Sequence, residues 1–367
     1  MKRSVTLLSH FTLFGDVFRC IKRKTLHSTA DRIVGLDLAP TFLAMVELDC
    51  CDYPVVSRWA TRTIEGVVGA EADESRFRSV LSEFVRQHCL DRARTVVGMS
   101  GPGIYVKVVS VPRMSFEELK AHLNWEIDHY LPYGPEDMYW DAHIQGGTNE
   151  AHSKGSMSVV VAAAKKDLVD RRMALLEDVG LQPEVIDIDG LALSHLWDYI
   201  SPHLAQRDGA TLWVNCDPFR LSMTVLHCHQ LVAVRDARFE LWSLEPTFDS
   251  SITNSSQPAV DGNALDCCPD TSLSRMRENI VREIRRTMHY NQNEDNPAVV
   301  TRLLLSGAIP DLAVLSDALR TEFDFDVQVV DPFRYFQRGP QKTNERATAD
   351  PAAAAIATGL ALRLGAA

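Results

Sequence analysis

RIVGLDLAPTFLAMVELD, residues 32–49, decides the fold, because its pattern returns as ATLWVNCDPFRLSMTVLHCHQLVAVR at residues 210–235. In the first stretch Arg32 to Leu38 reads as a strand, Ala39, Pro40 and Thr41 as a turn, and Leu43 to Asp49 as a second strand. Pro54 to Ile64 supplies a third strand of the same antiparallel meander. Ser75 to Cys89 then carries Phe77, Val80, Leu81, Phe84 and Val85 at helical spacing, and Thr95 to Met99 returns to strand. The second stretch repeats the meander as Ala210–Cys216, Leu221–Leu226 and Gln230–Arg235. A helix over Met276–Tyr290, with Ile280, Ile284 and Met288 on one face, and an apolar strand over Val299–Ser306 follow it. A unit of three strands, helix and strand that occurs twice is an internal repeat, which implies two related lobes.

Between the two copies the pattern describes a small αβ insertion. Ile104–Val111, Met138–Ile144 and Met157–Ala164 read as strands, and Ser115–Leu131 and Lys166–Val179 as helices. Ser115 opens a capping box with Glu118, Leu119, Leu123, Ile127 and Tyr130 form the buried stripe, and Pro132 stops the helix. His122, Glu126 and His129 on the same helix have a spacing that can hold a metal, but no further ligand is near in sequence, so they read as a solvated flank. After Asp187-Ile-Asp189-Gly a helix runs through Ile200. The second copy is followed by a helix over Ala313–Phe323 and a short strand over Val327–Val330. The domain reading is an extension over 1–30, a first lobe over 31–200 with the insertion at about 99–182, and a second lobe over 201–350. The second lobe contains a mobile loop at 249–274 that lacks any period, and Gln337–Asp350 reads as a linker. An alanine-rich closing helix occupies 351–367, with Pro351 at its start.

A length of 367 residues with 46% hydrophobic and 24% charged side chains has the apolar material for packed cores, which excludes disordered and fibrous classes. The net charge of −11 repels a phosphate backbone, so no nucleic-acid partner is expected. Eight cysteines contain no Cys-x-x-Cys pair, and their low density speaks for reduced thiols in the cytoplasm. Cys216, His227, Cys228 and His229 are read as strand residues and not as a metal cluster, the two histidines pointing together and Cys228 the other way. No run approaches a membrane span. In the extension, Leu7, Phe11, Phe14, Phe18 and Ile21 form one apolar stripe flanked by Lys2, Arg3, Arg19, Lys22, Arg23 and Lys24. That pattern suits contact of residues 2–24 with an anionic membrane surface.

Several segments narrow the class: GMSGPG (98–103), VVSVP (108–112), NWEIDHYLP (124–132), VVAAAK (160–165), LLEDVG (175–180) and VIDID (185–189). EIRR (283–286), LLSG (304–307), DPF (331–333) and TGLALR (358–363) continue the series in order. With the duplicated meander they resemble PilM proteins, the type IV pilus assembly family of the actin-like ATPase superfamily, over about residues 31–364. The resemblance implies an α/β, two-lobed actin-like ATPase fold of duplicated ribonuclease-H-like domains, with an inserted αβ subdomain in the first lobe. It further implies ATP and Mg between the lobes, a place at the inner face of the inner membrane, and contact with other pilus assembly proteins. The main partner it implies is PilN, a membrane protein whose cytoplasmic tail lies in a groove at the insertion. Tyr105, Lys107, Trp125 and Tyr130 are the partner-binding candidates, in the mode of an extended peptide.

In this superfamily glycine-containing turns from each lobe cradle the phosphates and an aspartate holds the metal or its waters. Asp37 matches that aspartate and is the metal candidate, and Thr41 keeps a hydroxyl. The expected glycine, however, is Ala39, and Pro40 removes an amide donor. The second turn offers Asn215 where a charged aspartate is usual, and Asp217 where glycine is usual. The adenosine motif keeps Ser306 and Gly307 but has Ala308 for its second glycine, while Glu283 and Arg286 match ribose and adenine contacts. These changes predict a scaffold with weak or absent ATP binding and no positive charge preorganised for phosphoryl transfer. The alternatives are an ATP-binding protein whose nucleotide state controls partner binding, or a type II secretion or FtsA-like divisome adaptor. The first needs the phosphate glycines, the second a following membrane span, and the third a C-terminal membrane helix.

Overall fold

The computed structural model describes residues 32–50, 53–64, 74–145, 155–205, 208–238, 269–292, 299–309, 311–338 and 350–365. The basic extension over 1–30 lies outside them. The first sheet holds β1 (Arg32–Ala39), β2 (Phe42–Asp49) and β3 (Val55–Thr63) as an antiparallel meander. β4 (Arg94–Met99) and β8 (Val185–Ile188) add to it in parallel, because helix α1 (Glu74–Gln87) carries the chain back over one face. Both faces of β1 are covered, so it reads as a continuous apolar run. Val34, Leu36 and Leu38 meet Phe77, Leu81 and Phe84 of α1, while Ile33 joins the core built around the closing helix.

β9 (Ala210–Asp217), β10 (Arg220–His227) and β11 (Gln230–Arg238) form the second meander. β12 (Val300–Gly307) and β13 (Asp326–Val329) extend it in parallel, with α5 (Pro269–Gln292) and α6 (Leu312–Glu322) as the connecting helices. The strand order 11-10-9-12-13 repeats 3-2-1-4-8 of the first sheet, so the sequence repeat is a repeat of topology. The third sheet, β5 (Ile104–Pro112), β7 (Ser156–Lys165) and β6 (Met138–Ile144), is the insertion, with α2 (Phe116–Tyr130) on one face and α3 (Lys166–Asp178) following β7. Period-two alternation gives β7 two partners: Met157, Val159, Val161 and Ala163 pack under Leu119, Leu123 and Ile127 of α2, whereas Val160 and Ala162 join the main core. Ser115 and Glu118 make the expected capping box, the amide of Ser115 donating to Glu118 Oε2 at 2.8 Å.

The closing segment is a 3-10 turn, Pro351–Ala354, that runs into α7 (Ala355–Gly365). Its alanines serve contact: a Cβ on Gly35 would sit 1.9 Å from the Ala357 carbonyl, and one on Gly359 1.9 Å from that of Ala192 in α4 (Asp189–Ile200). Backbone therefore meets backbone where α7 is wedged between β1 and α4.

Three expectations are corrected. Residues 269–274 of the expected loop are the first turns of α5, since proline is tolerated at a helix start, and 249–268 lie outside the described residues. The expected linker opens with a strand, β14 (Gln337–Arg338), parallel to Val55 and Val56 of β3. Cys228 and His229 are the left-handed residues of the β10–β11 hairpin turn (φ 49° and 60°), not strand residues, as a two-residue turn between twisted strands requires. His122 is paired with Glu126 at 3.3 Å.

Where the insertion, α4 and α7 meet, Arg363 Nε lies 3.3 Å and His195 Nδ1 3.6 Å from Asp187 Oδ2. Burial, and then the Arg363 charge, push His195 down to about 3. The unfolded chain takes up a proton on this histidine near pH 6.5 and the folded chain does not, so its share of the stability is lost as pH falls from about 6.5 towards 3. His195→Leu is expected to make unfolding free energy fall less steeply between pH 6 and 4, by up to about 1.4 kcal/mol per pH unit. Urea titrations at a series of pH values read this, and equal slopes for both proteins would refute it.

Candidate functional site

The duplicated topology brings the β1–β2 turn, Pro40 and Thr41, opposite the β9–β10 turn, Pro218 and Phe219, across a cleft of about 530 Å³. Thr41, Tyr105, Arg172, Asp217, Arg220 and Asp236 are among its lining residues. The lobes touch around it. Gly190 of α4 leaves room for Val234 of β11, Thr224 donates to the Gly190 carbonyl at 3.2 Å, and the Gly101 amide donates to Asp236 at 3.1 Å. The Gln145 side chain brackets Leu231, donating to its carbonyl at 2.9 Å and accepting from its amide at 2.7 Å.

Charge concentrates at the floor of the cleft. Arg220 sends Nη2 to Asp217 at 2.7 Å and Nη1 to Asp189, at the start of α4, at 3.0 Å. Asp236 accepts from Ser222 at 2.5 Å. Asp37 and Asp189 are buried and outside the lining, while Arg220 is part of it. Burial, and then the neighbouring charges of Asp189 and Asp217, hold the Asp37 carboxyl well above its ordinary range. Burial alone would weaken the Arg220 guanidinium, but Asp189, Asp217, Asp236 and Asp37 hold its proton more firmly than usual.

The remaining nucleotide candidates have partners within the protein. Asn215 and Ser306 belong to a buried chain in which Trp213 Nε1 donates to Ser306 Oγ at 2.9 Å, and that hydroxyl donates to Asn215 Oδ1 at 2.8 Å. Gly307 has φ 125°, and a Cβ there would stand 2.0 Å from the Cys216 carbonyl, so the approach of β12 to β9 demands glycine. Glu283 accepts from Arg286 at 2.7 Å, and Arg286 lines a separate groove along α5. Of the eight nucleotide candidates, only Thr41 and Asp217 line the cleft.

A nucleotide-bound metal does not fit these residues. Two cations, Arg220 and Arg172, already stand beside the carboxylates, Pro40 offers no amide, and Asp217 faces the Arg220 guanidinium. Among the described residues no three His, Cys, Asp or Glu side chains converge as metal ligands. Sequence reasoning did not single out Asp189 or Arg220 for the site. The available signals were the second acid of Asp187-Ile-Asp189 and an arginine three residues after Asp217.

Three of the four partner candidates meet at the C-terminal end of α2. Lys107 Nζ lies 5.6 Å from the Tyr130 ring, and Tyr105 packs 5.9 Å from Tyr133, whose ring carries Lys165 Nζ at 3.7 Å. Trp125 is apart from them and 86% exposed, because five residues of helix separate it from Tyr130 by about 140° around the axis. Tyr133 and Lys165 went unnoticed in the sequence. Pro132, which ends the helix just before Tyr133, and the Lys165 amide bonded to the Gly103 carbonyl at 2.8 Å explain their position.

Two lobes of one topology, an insertion in the first and a cleft between them define an actin-like fold. The chain belongs to the family of the type IV pilus assembly protein PilM, whose model matches residues 35–364. Among solved structures, a PilM–PilN type IV pilus biogenesis complex superposes with a TM-score of 0.68 at 20% identity, over 90% of this chain and 98% of that one. The ethanolamine utilization protein EutJ of Carboxydothermus hydrogenoformans gives 0.46 at 12% identity, over 95% of each chain. The cytoplasmic domain of EpsL, an inner membrane component of the Vibrio cholerae type II secretion system, gives 0.41 at 10%, over 90% and 94%. No helix among the described residues is long and apolar enough to cross a membrane.

Gly307→Ala is expected to destabilise the protein by about 2 kcal/mol or more with no nucleotide present, because the methyl group meets fixed backbone. Chemical denaturation checks this, and a loss below about 0.5 kcal/mol would show that β12 and β9 tolerate a side chain there.

Proposed function

We propose that the protein is a cytoplasmic adaptor of the type IV pilus assembly machinery at the inner face of the inner membrane. Its insertion holds the cytoplasmic tail of a PilN-like inner-membrane protein, and its interlobe cleft does not hold ATP and Mg tightly. Family membership supports the pilus role, and the similar solved structure is a PilM–PilN complex. The observation that carries the partner site is the convergence of Tyr105, Lys107, Tyr130, Tyr133 and Lys165. Tyr133 is 43% exposed, so the cluster presents aromatic faces and ammonium groups outward. Such a surface suits an extended peptide: rings bury its apolar side chains at small entropic cost, and lysines meet its carbonyls or acidic groups. Residues 2–24 add contact with an anionic membrane surface.

The weak-nucleotide reading rests on Pro40, which offers no amide in the first turn, and on the Asp189–Arg220–Asp217 pairing, which engages the Arg220 guanidinium at the cleft floor. Calorimetric titration with the PilN-tail peptide tests the whole reading. Tyr105→Ala and Lys107→Ala should each weaken binding about tenfold, Trp125→Ala should leave it within about twofold, and magnesium-ATP should not change it. Undiminished affinity in the Tyr105 and Lys107 variants would remove the cluster from the partner site, and tight ATP binding would sink the weak-nucleotide reading.

A further inference from the structure

We infer that Arg220 is the resident cation of the interlobe cleft: it gives the converging carboxylates the positive charge that a bound metal would otherwise supply, and so ties the lobes together without a ligand. The inference rests on the reading of the cleft as a degenerate nucleotide site and adds what has replaced the metal. Carboxylates withdrawn from water need a counter-charge. Asp37, Asp189, Asp217 and Asp236 approach this floor from β1, α4, β9 and β11, two from each lobe. Arg172 of α3 is a second cation near Asp189 and Asp37, both of its own lobe, whereas Arg220 reaches both lobes. It flanks the β9–β10 turn opposite Asp217, its cross-strand neighbour, and extends 3.0 Å from Asp189 at the head of α4.

The side-chain type matters. A guanidinium is a planar fork that can serve two carboxylates at once, whereas an ammonium is a compact point charge. The surroundings accommodate the pair: Gly98 leaves room for Asp189, since a Cβ there would lie 2.4 Å from Asp189 Oδ1. That oxygen is buried and makes no hydrogen bond, nor does Arg220 Nε. The tie therefore depends on charge and on two contacts instead of a saturated hydrogen-bond network, so a different cation of suitable charge can take over when the arginine is removed.

Thermal unfolding of the full chain in EDTA, and again in millimolar magnesium or calcium chloride, tests this. The wild-type midpoint should be the same in both. Arg220→Met should lower it by about 6–10 °C in EDTA and regain at least half of the loss with the divalent cation, but not with sodium chloride of equal ionic strength. Arg220→Lys should fall between the two, and Asp189→Asn in the Arg220→Met background should diminish the rescue. A wild-type midpoint raised by the divalent cation alone, an Arg220→Met midpoint equal to wild type, or a loss that no divalent cation restores each overturns the proposal. If Arg220→Met does not fold, Arg220→Met/Asp217→Asn, which removes one charge of each sign, takes its place and must still gain from the cation. Titration of the wild type with magnesium-ATP separates the two readings. Tight binding there refutes the degenerate site, while failed rescue with no ATP binding refutes only the role of Arg220.

Discussion

A carboxylate taken out of water must be met by a positive charge or take up a proton, and this requirement governs the middle of the molecule. Two lobes of one topology bring their β-turns face to face, and with them Asp37, Asp189, Asp217 and Asp236. Left to themselves these charges would repel, and the lobes with them. Arg220 answers the requirement from within the chain, with Arg172 as a second cation in the cleft lining. Smaller contacts between the lobes, Thr224 with Gly190 and Gly101 with Asp236, add to the junction.

The insertion is anchored to the first lobe and carries an outer surface that borders that junction through Tyr105. β7 supplies one row of side chains to the main core and the other to α2, so the subdomain is fixed to the first lobe while keeping its own interior. The aromatic and lysine cluster rides on that rigid sheet, at the end of a helix whose start is set by a capping box and whose end is set by Pro132. A partner surface on such elements loses little entropy when a peptide docks, because its rings are already placed.

Much of this was legible in the sequence, and what was missed has physical causes. Strands covered on both faces, such as β1, announce themselves as apolar runs, and the repeated meander gave the topology of both lobes. Boundaries that depend on distant contacts did not show. Gln337 and Arg338 become a strand only because the edge of β3 is there to pair with, and Pro269 begins a helix because a proline's missing amide costs nothing in the first turn. At the site, the family resemblance pointed to Asp37, Thr41 and Asp217 but not to the Asp189–Arg220 pair, whose members lie 31 residues apart in sequence and meet across the lobes. Trp125 and Tyr130 look like neighbours in the sequence, yet helical rotation sends them to different faces.

The fate of individual motif residues follows from how many tasks each performs. Gly307 is demanded by the Cys216 carbonyl whether or not a nucleotide is present, so a surviving glycine there carries no information about ATP. Ser306 and Asn215 likewise satisfy each other and Trp213 in the core. The informative position is one that packing leaves free. Ala39 ends β1 opposite Phe42 and is buried in the main core, whereas its neighbour Pro40 is exposed in the turn. Pro40 has no amide to offer a phosphate. Asn215 shows the same point from the other side: it departs from the family pattern and still has a duty in the core, so neither keeping nor losing a motif residue that packing employs speaks about a nucleotide.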